Sequence, residues 1–353
     1  MLSSALLLAV LVAATPADNS AFVPPAQTEA EVVQQITVAA KAFVATLPPA
    51  DLASASFAYA GPEQRYWHWI PAPLLADNAL GKNYAPYGRI GLPLEKMGTD
   101  SVVKLHQLFQ VTLSANGYRK LEQVIRREGG DEPRMGFMGI GRTPTGSPPG
   151  GPGWYFFSLF GSVGEGHWAF RFEGHHISLN IAIDGEHVLT SPLAIGHNPS
   201  PIVPEASTLA VRLFNALSPE QQKAAHIIVD GSDKGIPGDM DRTPGKPALV
   251  GAALGALSPE ALALYDGLTE DLVGSFPEPI AKPLRAKVHA QAAEAHLAWY
   301  GDVDDFHPHY YRLQGPSFLM QVRHQGLERG HAHVHTSWRT LDDGSVANGA
   351  ATP

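Results

Sequence analysis

The chain of 353 residues contains no cysteine. That absence excludes disulfides, thiolate metal sites, cysteine nucleophiles and a lipidated amino-terminal cysteine, so any metal must use histidine, carboxylate or carbonyl ligands. Basic charge is scarce as well. Lys and Arg number 25 against 34 Asp and Glu, a formal net charge of −9. No Lys/Arg cluster stands out, and phosphate neutralisation needs a basic face, so no nucleic-acid partner is expected. Beyond the amino terminus no apolar run reaches the ~20 residues of a spanning helix, and no integral membrane association is expected. Familiar catalytic signatures are missing too: no Gly-x-Ser-x-Gly elbow, no His-Glu-x-x-His and no Walker A sequence. Gly139 and Gly141 sit in a Pro/Gly loop, not in a dinucleotide fingerprint after a clean strand.

Hydrophobic residues make up 44% and charged residues 17%, which suits a chain that buries a sizeable core. The opening, MLSSALLLAVLVAATPADNS, has an apolar run from Ala5 to Val12 followed by small residues. It predicts a signal peptide and a secreted or periplasmic protein, although the only positive charge before the run is the α-amino group. The expected organisation is residues 1–19 as signal peptide, 20–27 as linker, 28–340 as a single α+β domain and 341–353 as a disordered tail.

Thr28 and Glu31 form a T-x-x-E capping box, and Val32, Ile36, Ala39, Ala40 and Phe43 share one helical face, predicting a helix through about Leu47. A second helical region is expected from about Leu94 to Arg127, broken near Asn116-Gly117. Two Leu-Ser-Pro-Glu sequences mark helix starts at Ser218 and Ser258. An Ala-rich helix is expected from about Ala281 to Tyr300. Residues 129–153, with GRTPTGSPPGGPG at their centre, read as a loop or lid. GSDKGIPGDMDRTPGKP reads as a second loop, whose Asp230, Asp233, Asp239 and Asp241 do not fit a calcium-binding spacing.

Strands are expected in WYFFSLFG and in HWAFRFEGHHISLNIAIDGEHVLTSP, with a turn at Asp184-Gly185. HPHYYRLQGPSFLMQVRHQG and HAHVHTSWRTL predict two β runs forming a carboxyl-terminal hairpin. Helices, then strands, then helices, then a hairpin, without regular βαβ alternation, point to an antiparallel sheet with flanking helices in one large domain.

The 16 histidines cluster. His331, His333 and His335 alternate along a predicted strand and therefore share a face, where His-x-His presents two imidazoles to one ion. An unliganded histidine ladder is the plainer reading. His175 and His176 are adjacent, so both reach one ion only if a bend intervenes, and Gly174 is placed to supply it. Otherwise one is a ligand and the other orients it. His307 and His309, and the isolated His167, His187, His197 and His324, read individually as structural. Arg171, Arg312 and Arg339 fit either a substrate anion or interior ion pairs with Glu173 or Asp184.

Taken together and in order, WAFRFEGHHISLN, YYRLQGPSFLMQ and HVHTSWR, with QRYWHWIPAP and LSPEQQKAA, resemble a family known only as domain-of-unknown-function family 3500. The resemblance covers about Thr28 to Arg339. It implies one shared architecture and no activity. Its landmarks are G-H-H, then G-P followed shortly by a glutamate, then H-x-H-x-x-W-R. They fall on His175 and His176, on Gly315 and Pro316, and on His333, His335, Trp338 and Arg339. This chain carries Gln321 where the family implies glutamate, and relatives are expected to continue past Arg339. Glutamine accepts no proton at neutral pH, which leaves Glu173 as the nearest local base.

The site expected from the sequence is therefore a divalent transition metal on His175, His176, His333 and His335, with Glu173, Asp184 and Arg339 as catalytic partners. Zinc is the first choice of metal. It would lower the pKa of its water to about 7 and serve a hydrolase. Copper or iron on the same imidazoles would serve an oxidoreductase. A non-enzymatic metal- or ligand-binding protein, with Trp67, Trp69, Trp154 and Trp168 lining a cleft, is the third reading. The substrate stays unknown.

Overall fold

The computed structural model describes residues 25–70, 87–128, 154–197, 204–227, 246–328, 331–342, 344–345 and 347. The expected signal peptide, the Pro/Gly loop and the four aspartates of the second loop lie outside them. The strands in chain order are β1 (Ser56–Phe57), β2 (Leu92–Pro93), β3 (Phe156–Phe160), β4 (His167–Gly174), β5 (Ile177–Asp184) and β6 (His187–Leu189). They continue with β7 (Leu193–His197), β8 (Ala252–Ala253), β9 (His296–Gly301), β10 (Pro308–Gln314), β11 (Phe318–Glu328) and β12 (His331–Thr340).

These strands form one 12-stranded sheet in the order β1-β3-β4-β5-β7-β12-β11-β10-β9-β8, with β2 against β3 and β6 against β5. Only the β1–β3 pairing is parallel among the described ladders. The chain is an α+β single domain. No helix among the described residues is long and apolar enough to cross a membrane.

Strand alternation divides the sheet into two chemically different faces, because cross-strand partners point the same way. Phe157, Phe172, Leu179, Leu193, Trp338 and Met320 follow one another across β3, β4, β5, β7, β12 and β11 on one face. All are buried, in one core with helical Val32, Ile36, Leu105 and Leu268. The helices dock aromatically: Phe43 meets Phe157 at 4.8 Å, Phe109 meets Phe172 at 4.7 Å and Phe214 meets Trp299 at 5.2 Å between centroids. Truncating such a ring to alanine costs about 3–5 kcal/mol.

The opposite face carries Arg171 and Glu173, Ser178 and Asn180, His335, Ser337 and Arg339, and Gln321, all buried despite their polarity. Its cover includes Trp67 and Trp69, which pack on Ala194 of β7 as a small cluster apart from the main core.

Helix starts follow their caps. Thr28 and Glu31 satisfy one another's amides at 3.2 Å each, Ser218 and Gln221 do the same at 3.2 and 3.1 Å, and the Ser258 hydroxyl accepts from the Ala261 amide. Four expectations are corrected. The break between helices Thr99–Thr112 and Ala115–Glu128 falls at Leu113-Ser114, because the Ser114 hydroxyl caps the second helix through the Gly117 amide. Gly117 lies inside that helix, where a Cβ would stand 2.1 Å from the Ser275 carbonyl oxygen.

The Ala-rich helix ends at Ala290, and residues 296–301 form β9 instead. There Leu297 and Trp299 alternate into the core, and sheet pairing with β10 overrides local helix propensity. The carboxyl-terminal hairpin is three strands, since Gly315-Pro316-Ser317 turns the first run back on itself, and the Gly315 amide donates to the Phe318 carbonyl. The start of the expected disordered tail is packed: the Leu341 amide donates to the Ser317 carbonyl, and buried Ser345 donates to the Ser191 carbonyl.

Candidate metal centre

Because Gly174 pairs with Ile177, only His175 and His176 are left to turn the β4–β5 hairpin. The bend that the adjacent histidines required exists, but at His176 itself, whose φ is +64°. A non-glycine residue there costs about 1–3 kcal/mol and persists only when its surroundings over-determine it. They do so here. The His176 amide donates to the Trp69 carbonyl at 2.9 Å, and the His176 carbonyl accepts from the Gly196 amide at 2.7 Å. The neighbouring His175 carbonyl accepts from the Tyr155 hydroxyl at 2.7 Å. Gly174 serves a different purpose: a Cβ there would lie 2.4 Å from the Tyr155 ring.

His333 and His335 share the polar face of β12, as their period-two spacing predicts, and β12 brings them to the hairpin turn. One ligand nitrogen from each of His176, His333 and His335 lies within 4.8 Å of the others, and Nε2 of His176 is 3.0 Å from Nε2 of His333. Metal–nitrogen bonds of about 2.0–2.1 Å at tetrahedral to octahedral angles place ligand nitrogens about 3.0–3.4 Å apart, which the His176–His333 pair already meets. The His333 ring stands nearly perpendicular to both others, at 89° and 85°, as converging ligands do and stacked ones do not. The Trp69 ring walls the site 5.6 Å from His335.

Gly196 makes the convergence possible. A Cβ at that position would come within 2.6 Å of His335 Cδ2 and 2.8 Å of His176 Cδ2. His175 stays outside the group: its ring stacks on His176 with centroids 3.7 Å apart. Among the described residues no fourth side chain joins the three.

The other expected participants stand elsewhere. Glu173 shares the face, three residues before His176 on the same hairpin and three strands from β12, about 14 Å at sheet spacing. It is fully buried, 3.3 Å from Arg89 and 3.7 Å from Arg171, and accepts from the His68 amide. Burial raises its carboxyl, but the neighbouring His68 side chain, then Arg171 and Arg89 and that amide, outweigh the effect and hold it below the ordinary range. Burial, then the Arg89 charge, push the adjacent His68 down to about 3. Asp184 lies at the far end of β5, roughly 23 Å from the hairpin turn, bound to exposed His167 at 2.9 Å. Arg339 shares the β12 face four positions beyond His335, on the order of 13 Å away. Asp184 is therefore distant from the cluster, while the Glu173 carboxylate, three residues before His176, is engaged by Arg89 and Arg171.

Gln321 is on the polar face, diagonal to His335 at about 7–8 Å, and donates from its Nε2 to the Tyr310 hydroxyl at 2.8 Å. Of the four tryptophans considered for a cleft, Trp67 and Trp69 border the site, whereas Trp168 belongs to the apolar core. His331 opens β12, and its side chain lies outside the described residues. The sequence reading missed Gly196 and the neighbour of His335 on β11, Arg323, both of which become visible once strand register is known.

A family model described as a protein of unknown function, DUF3500, matches residues 29–344. No curated protein and no solved structure matches the chain.

Proposed function

The chain belongs to the DUF3500 family, and for it we propose a metal-dependent enzyme, first of all a hydrolase, in which His176, His333 and His335 hold a divalent transition metal. The single observation that carries this reading is the convergence of three ligand nitrogens within 4.8 Å on a strand and a locked turn. Three protein ligands with a position left open is the pattern of catalytic zinc sites, while closed four-ligand shells are structural. Such a metal supplies Lewis acidity and a water made acidic enough to attack at neutral pH. The protein's part is to hold the three imidazoles in place, with the Trp69 ring beside His335 and His333 part-exposed. An exported setting belongs to the same reading through the apolar run at residues 5–12. Amino-terminal sequencing of the protein recovered from the medium or periplasm tests that part.

A copper- or iron-dependent oxidoreductase is the second reading. It is favoured by one observation: the donor set is all imidazole, and the two carboxylates offered as bases are committed elsewhere. The decisive experiment is elemental analysis of protein purified without a nickel column. About one equivalent of zinc supports the hydrolase, copper or iron with a visible band supports the oxidoreductase, and no stoichiometric transition metal ends both.

A further inference from the structure

We propose that Arg323 completes the site as the receiver of a substrate carboxylate, so that the enzyme acts on a carboxylate-bearing small molecule held between this guanidinium and the histidine cluster. The inference deepens the metal reading above and rests on it for the reaction, though not for the anion contact itself.

Register sets the geometry. Arg323 of β11 is directly opposite His335 of β12, and Tyr310 of β10 is its partner on the other side. Directly opposed residues have Cβ atoms about 4.5–5.5 Å apart and point to the same face, so Arg323 flanks the cluster on its β11 side. Neither cross-strand neighbour carries a carboxylate.

Position beside the cluster distinguishes Arg323 from Arg65, whose Nε is likewise shielded and without a partner, and three other arginines are engaged. Arg89 is bound to Glu173 and the His68 carbonyl, Arg171 to Asn180 and the Glu63 carbonyl, and Arg312 to Gln314 and the Ala248 carbonyl. The Arg323 side chain has no hydrogen-bond or ion-pair partner among the described residues, and its Nε is shielded from solvent. Its shielded Nε leaves a donor beside the histidine cluster unmatched, and a carboxylate supplies the acceptor that the neighbouring side chains do not. One planar fork of donors matches one carboxylate in bidentate fashion. A phosphate dianion draws on several cations, which the engagement of Arg89, Arg171 and Arg312 withholds.

The test titrates the full chain, purified without a nickel column and loaded with zinc or with cobalt as a spectroscopic stand-in. Acetate, benzoate and inorganic phosphate serve as probes, followed by calorimetry and by the cobalt absorption bands. The wild type is expected to bind the carboxylates more tightly than phosphate. Arg323→Gln should retain its metal and melting temperature yet bind carboxylate at least about tenfold more weakly, with Arg323→Lys between the two. Equal carboxylate affinity in Arg323→Gln, preference for phosphate, or no binding of any probe overturns the proposal while leaving the metal reading intact. If Arg323→Gln does not fold, Arg323→Lys carries the comparison, and affinity equal to wild type overturns it. If the wild type holds no metal, the metal reading fails by itself. The same titration on the metal-free chain then decides, since loss of carboxylate binding in Arg323→Gln sustains the Arg323 assignment and no difference ends it.

Discussion

Among the described residues two groups of histidines sit on opposite faces of the same sheet, and only one brings three ligand nitrogens close enough together that it could hold an ion. On the apolar face His309 and His324 stack in parallel, 4.7 Å apart at 8°, with Trp299 against His309 at 5.0 Å. Three of their four ring nitrogens are occupied. His309 Nδ1 faces the His307 carbonyl, its Nε2 faces the Ser207 hydroxyl, and His324 Nδ1 accepts from the Gly326 amide. On the polar face the His333 ring crosses those of His176 and His335, and one ligand nitrogen from each of the three lies within 4.8 Å of the others. Histidine count and burial do not separate the groups; ring orientation and the destination of each nitrogen do.

The sharpest way to break this comparison is to remove a ligand. Alanine at His176, His333 or His335 should each reduce bound metal from about one equivalent to below about a tenth, by elemental analysis, with the circular dichroism spectrum unchanged. Metal retained in all three variants would erase the distinction. Next in size, Gly196→Ala drives a methyl group between His176 and His335 and should weaken metal binding by about 10–100-fold in a chelator competition.

On the opposite face His309→Leu should leave metal content unchanged and cost about 1–3 kcal/mol in urea unfolding, because Ser207 loses its partner. The pH dependence carries a sign. Burial, then the neighbouring His324, lower His309 to about 4, and His68 lies at about 3, both below the ordinary 6.5. Between pH 6.5 and about 4 the unfolded chain therefore binds more protons. Stability is fully present above 6.5 and falls as pH drops through that window. The slope is about 1.4 kcal/mol per pH unit for each histidine, and His309→Leu should remove one histidine's share. The smallest effect is expected for His175→Ala, which loses a ring stacked on His176 but no ligand, so metal affinity should change by no more than a few-fold.

Much of the fold was legible because its signals are local. Thr28 with Glu31, and Ser218 with Gln221, announce helix starts within four residues, and His333 with His335 announce a shared face by spacing alone. What was hidden depends on partners distant in sequence. Residues 296–301 look helical until β10 is beside them, and the Gly315-Pro316-Ser317 turn looks like an interruption until β11 folds back. The site divides in the same way. His-x-His was readable, whereas the choice of His176 over His175 depends on a positive φ fixed by Trp69 and Gly196, far from it in sequence. Glu173 and Asp184 were natural bases by composition, and only three-dimensional placement shows the one locked between arginines and the other at the far end of its strand.

The division of the sheet into two chemistries has a consequence for the pattern of tolerated variation along β12. Val334, Thr336 and Trp338 face the helices, while His333, His335, Ser337 and Arg339 face the polar side. A saturation mutagenesis screen that scores protein abundance and metal occupancy separately should therefore oscillate with a period of two residues. Even-numbered positions should lose abundance, and occupancy only as a by-product. His333 and His335 should lose occupancy at near-normal abundance, so that a single strand reports on folding and on chemistry at alternate letters.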